Sequence, residues 1–148
     1  MKPFKTLLLA GIAFVALSAP VYAEEGHDEK PHFSVTKPET VESAWAMIDE
    51  TISTARQALK DNNADILHEA GEKLAAAVAT LHDHPQAVKE ENGEKLTQAL
   101  DQLTKTVDRF HHAAEDKNTA GATETLDLFE SQKGLVKSLY PSMEQVEP

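Results

Sequence analysis

The sequence predicts an all-α protein, an antiparallel up-down-up-down four-helix bundle that follows a cleaved signal peptide. Three observations lead there. Apolar residues recur at steps of three and four through four separate segments, the mark of amphipathic helices. The segments are joined by short polar links rich in Asn, Asp and Gly. No stretch shows the alternation or β-branched enrichment of a strand. Short links make sequential helices antiparallel, and four such helices close into a bundle.

Residues 1–23 read as a secretory signal. Lys2 and Lys5 form a positive start, residues 7–17 are apolar or small, and Val21-Tyr22-Ala23 places small residues where a signal peptidase reads. The apolar run falls short of the roughly 20 residues a bilayer span needs, so no membrane insertion is expected after cleavage. The expected compartment is the periplasm. With no cysteine, the chain has no disulfide, no thiolate metal ligand, no covalent c-type haem and no lipid-anchoring thiol. Cleavage would leave 125 of 148 residues, about one domain. Losing Lys2 and Lys5, the only charges in the leader, moves the formal net charge from −11 to −13. Such a charge repels phosphate backbones and anionic lipid, which excludes nucleic acid as a partner and favours cations.

Residues 24–36 read as an acidic arm carrying His27 and His32, with Gly26 and Pro31 and no apolar period to bury. The bundle is expected over 37–140. Helix one should begin near Pro38, with Thr36-x-x-Glu39 as a capping box, and bury Val41, Ala44, Trp45, Ile48, Ile52, Ala55 and Leu59. Asp61-Asn62-Asn63 closes it, since asparagine tolerates a left-handed cap and can cap the next helix. Helix two is expected over 64–82 with the stripe Ile66, Ala70, Leu74, Ala77, Val78 and Leu81. Gly71 costs about 1 kcal/mol there relative to alanine, which a close helix–helix approach would explain. Helix three starts either at Pro85 or after the Asn92-Gly93 turn signal, with a break near Gly93 favoured. It carries the clearest periodicity of the chain, Leu96, Leu100, Leu103, Val107 and Phe110, and closes on His111 and His112. Helix four is expected over 122–140, with a broad apolar arc that includes Leu126, Leu128, Phe129, Leu135 and Val136. Pro141 stops it, and 141–148 form a tail with Met143. Asp116-Lys117-Asn118 echoes Asp61-Asn62-Asn63, a faint internal repeat.

Seven histidines are the chemical signal. The topology puts His68 at nearly the height of His111 and His112 at one pole, and the spacing repeats as Asp65-x-x-His68 and Asp108-x-x-His111. His82 and His84 end helix two at the other pole, where the arm with His27 and His32 is expected to arrive. Imidazole with carboxylate suits Zn, Cu(II) or Ni(II), and a thioether adds capacity for Cu(I). On a helical wheel His68 and His112 point away from the apolar stripes, which makes them surface residues, and only His111 leans inward. Met47 falls on the polar side of helix one, and Trp45, Phe110 and Phe129 read as core.

A signal peptide followed by four antiparallel helices resembles the periplasmic cytochrome b562 and cytochrome c′ architecture. The resemblance covers the helical region and implies the fold. It does not carry haem ligands across. The c′ branch attaches haem at Cys-x-x-Cys-His, and no cysteine exists here. The b562 branch uses a methionine early in helix one and a histidine late in helix four. Met47 takes the first position, but helix four holds no histidine. Asp65-x-x-His68 and Asp108-x-x-His111 imitate half of a di-iron bundle, with the shorter acid. The chain is also similar in style to small exported helical proteins associated with metal tolerance. The expected function is a periplasmic metal-binding or metal-homeostasis accessory protein that uses surface histidines. The alternatives are a metal-free interaction or stress-related bundle with a protein partner, and a non-covalent b-type haem binder. No nucleophile with a base and no phosphate loop point to an enzyme.

Overall fold

The computed structural model describes residues 33–85 and 90–141. The expected signal peptide, His27, His32 and the tail with Met143 lie outside the described residues. Among the described residues the protein is all-helical, with α1 (Val41–Asp61), α2 (Ala64–Asp83), α3 (Gly93–Glu115) and α4 (Thr119–Leu139), and no strand. A 3-10 turn, Glu90–Asn92, leads into α3. The expected break near Gly93 is therefore where α3 begins.

Helix one starts three residues after Pro38, where it was expected, so Thr36-x-x-Glu39 is not its capping box. Thr40 caps it instead: its hydroxyl accepts from the Ser43 N–H at 3.1 Å, and the Ser43 hydroxyl accepts from the Thr40 N–H at 3.0 Å. The earlier residues are drawn onto α2. Thr80 Oγ1 donates to the Pro38 carbonyl at 2.7 Å, Lys37 pairs with Asp83, and the Phe33 N–H donates to Glu72 Oε2 at 2.9 Å. The segment thus lies along α2 and brings Phe33 to the His68 end. Just before α1, Lys37 and Pro38 lie at the Asp83 end of α2, the pole where the arm was expected to enter.

The two short links share one hydrogen-bond scheme. Asn62 and Lys117 take the left-handed conformation, with φ of 55° and 54°. The following asparagine N–H then reaches back five residues, Asn63 to Ala58 at 2.9 Å and Asn118 to Ala113 at 2.8 Å. The side chains of Asn63 and Asn118 cap the next helix by accepting from Ile66 and Gly121. Thr119 Oγ1 donates to Asn62 Oδ1 at 2.8 Å and ties the links together.

One apolar core runs through all four helices, with Trp45, Ile48, Leu74, Leu81, Leu100, Leu103, Phe110, Leu126 and Phe129 buried. Rising numbers on one helix meet falling numbers on its neighbour. Arg56 meets Asp127 and Glu130, Asp49 meets Lys133, and Trp45 meets Tyr140 edge-on across α1 and α4. His68 meets Glu115, and His82 meets Asp101, across α2 and α3. Two stripes differ from expectation. Leu67 takes the core position on α2 and leaves Ile66 exposed. On α4 the arc narrows to Ala122, Leu126, Phe129 and Val136, so Leu128 and Leu135 face solvent. The α1–α4 seam is closed at its edge by ion pairs rather than by those leucines. No helix among the described residues is long and apolar enough to cross a membrane.

Candidate metal centre

The stripe on α2 is centred on Leu67, Gly71, Leu74 and Val78. Ala70, Leu74, Ala77, Val78 and Leu81 are buried as the sequence stripe predicts, and the difference is at its edge, where Leu67 replaces Ile66 and Gly71 joins. His68 and Glu72 therefore sit at the edge of the buried face, with side chains 16% and 9% exposed, rather than in open solvent. On α3, His111 follows the fully buried Phe110 and precedes the buried Ala114, which turns it toward α2. The sequence-based outward placement of His68 is corrected: it flanks the buried Leu67 and faces His111 of α3.

Gly71 lets the two helices close at this level. A β-carbon there would lie 3.0 Å from His111 Cδ2 and 3.2 Å from its Cα. With that space open, the His68 and His111 rings approach to 4.5 Å between centroids. His68 Nε2 lies 3.9 Å from Glu72 Oε1 and 3.6 Å from Glu115 Oε1. The other Glu115 oxygen lies 3.2 Å from His112 Nδ1. Two groups of metal-ligating atoms result, His68/Glu72/His111 and His111/His112/Glu115, each spanning no more than 4.8 Å. His111 belongs to both.

Burial holds the His111 imidazole below its ordinary pKa, and the neighbouring His68 pushes the same way, against the opposing pull of Glu115 and Glu72. Its Nε2 is buried and makes no hydrogen bond. A neutral imidazole with an unsatisfied nitrogen is the form a metal takes. At Glu115, burial raises the carboxyl pKa, but the His112 hydrogen bond and the adjacent imidazoles outweigh it and leave the group lowered. Phe33 closes one side, its ring edge-on to His68 at 5.3 Å, while its N–H holds Glu72. A hydrogen bond to the far oxygen of a liganding carboxylate fixes how it is presented.

The structure brings together His68, His111 and His112 of the expected ligands. Asp65 and Asp108 are exposed and lie outside both groups. Glu72 and Glu115 occupy the carboxylate positions, each four residues after a central histidine. The signal for them was the doubled His-x-x-x-Glu at 68/72 and 111/115, which puts both side chains on one helix face. Three-residue spacing to the preceding aspartates competed with it. His84 Nδ1 donates to the Thr80 carbonyl at 2.8 Å, and His82 lies 3.4 Å from Thr104 Oγ1. Neither belongs to a ligand group among the described residues. Met47 is half-buried against the core rather than exposed.

Three imidazoles and two carboxylates suit a borderline divalent ion better than hard Ca(II) or Mg(II). Tetrahedral ligands about Zn(II) stand about 3.3 Å apart, given bonds of about 2.0–2.1 Å. Side-chain rotation would have to close gaps of up to about 1.5 Å on that measure. Comparison with protein-family models, with curated proteins and with solved structures gives no match. What the structure shows is the four-helix, all-helical fold, and no comparison supports a relation to the cytochrome b562 or c′ proteins.

Proposed function

We propose that the protein is an exported periplasmic antiparallel up-down-up-down bundle, released from its leader after Ala23, that binds Zn(II), Cu(II) or Ni(II) between α2 and α3. Its role is metal homeostasis, as a binding protein that exchanges its ion with a protein partner rather than an enzyme. One observation carries the reading. His68, Glu72, His111, His112 and Glu115 converge from two helices at the level where Gly71 permits their close approach. The acidic surface supports it by raising the local cation concentration.

Titration calorimetry of the mature chain with each of the three ions tests the proposal. Saturable binding of one ion is expected. The double variant His68→Ala/His111→Ala should lose at least about 100-fold in affinity, since two imidazoles are removed. His82→Ala/His84→Ala should bind as the parent does. Absence of saturable binding by the parent overturns the proposal. So does unchanged binding by a folded His68→Ala/His111→Ala chain.

A further inference from the structure

The two ligand groups differ in access, and the difference follows the helix numbering. In the inner group, the Glu72 and His68 side chains are 9% and 16% exposed, and Phe33 covers them. In the outer group the values rise to 25% at Glu115 and 55% at His112. His111 stands between, its ring 4.5 Å from His68 and 6.0 Å from His112. Glu115 also spans the two, one oxygen toward His68 and the other toward His112. A ligand shared by two sites serves them in turn when only one ion is present.

We propose that the groups are successive stations for a single divalent ion. His112 and Glu115 with His111 capture a hydrated ion from solvent, and His68 and Glu72 with His111 hold it. The inference rests on the metal-binding reading above. Transfer breaks no covalent bond. The ion exchanges the His112 imidazole for His68, and Glu115 follows by presenting its other oxygen. Throughout the exchange His111 stays bound. Water leaves the ion as it passes beneath Phe33. The hold is tight because the inner carboxylate is oriented by the Phe33 N–H and is sheltered from water. Capture is fast because the outer imidazole stands at the surface, 55% exposed.

A station used only on the way in and out changes rates without changing the equilibrium. Stopped-flow binding of Zn(II) to the mature chain, with a metallochromic chelator reporting free ion, separates the two roles. His112→Ala should slow association and dissociation by the same factor, about tenfold, with Kd within about threefold. Glu72→Gln should speed dissociation about tenfold or more and leave association within about threefold. His112→Gln and Glu72→Gln keep size and polarity, and circular dichroism with each confirms the fold. The relay is overturned if His112→Ala weakens Kd as much as Glu72→Gln does, or if the parent binds two ions at once. Absence of Zn(II) binding by the parent overturns the metal reading and the relay with it. Loss of equilibrium affinity in both variants, with one ion in the parent, overturns the relay alone.

Discussion

A β-carbon added at Gly71 would stand 3.1 Å from His111 Cβ and 3.2 Å from His111 Cα. Neither atom can swing away as a side-chain tip could, so the helices themselves must part by a few tenths of an ångström. The intrinsic gain from replacing a helical glycine with alanine is about 1 kcal/mol, whereas forcing an extra carbon into a packed contact costs about 1–3 kcal/mol. The packing cost wins. Gly71→Ala should lower unfolding free energy by about 1 kcal/mol net in urea titrations. It should also weaken the affinity for Zn(II), because His68 and His111 move apart. Gly134 on α4 meets nothing within 4 Å of the same added carbon. Gly134→Ala should therefore stabilise by about 0.5–1 kcal/mol and leave metal binding unchanged. A stable Gly71→Ala with parental affinity would show that the close approach is not what builds the site.

Helix boundaries depend on local chemistry, and the two short links show how little chain is needed to set them. Each places one non-glycine residue in the left-handed region, Asn62 in one and Lys117 in the other. Asparagine adopts that conformation readily, but lysine there carries a steric cost of about 1–2 kcal/mol. Lys117→Gly should remove it and raise stability by about 1 kcal/mol in urea. Asn62→Gly should change little. The links were legible beforehand because Asp-Asn-Asn and Asp-Lys-Asn are local signals, and so were the stripes of α1 and α3. The edge of the α2 stripe was not. Ile66 and Leu67 are both apolar, and only the neighbours decide which is buried. That choice carried His68 and Glu72 with it, which is why a surface histidine became a half-buried one. The start of α1 was missed for a similar reason. Thr36-x-x-Glu39 and Thr40 with Ser43 are both capping patterns, and contacts of Lys37 and Pro38 with α2 select the second. Likewise Leu128 and Leu135 looked like core until the ion pairs of Arg56 and Lys133 closed the seam beside them.

Across the whole molecule, net charge and the site respond to acid in opposite directions. The formal charge of −11 makes the folded chain repel itself, and protonating exposed carboxylates relieves that repulsion. At His111 the folded-state pKa lies below the ordinary histidine value of 6.5. The unfolded chain therefore takes up the proton first, and stability falls as pH drops below about 6.5 toward the lower folded value. Glu115, also lowered, contributes stability that is present above 4.5 and lost as pH falls through its folded pKa. Salt separates the two effects, since at high ionic strength the diffuse repulsion is screened and the half-buried groups remain. A bound ion adds a third dependence, because imidazole must be deprotonated to serve as its ligand. At a free Zn(II) concentration of about 100 times Kd, binding stabilises the folded state by about 2.7 kcal/mol. For a domain of this size that is a rise in Tm on the order of 10 °C. Scanning calorimetry in high salt should show the rise at pH 7.5 and lose most of it at pH 5, where protons compete with the ion for imidazole nitrogen. A shift that survives at pH 5 would assign the ion to carboxylates alone and remove the histidines from the site.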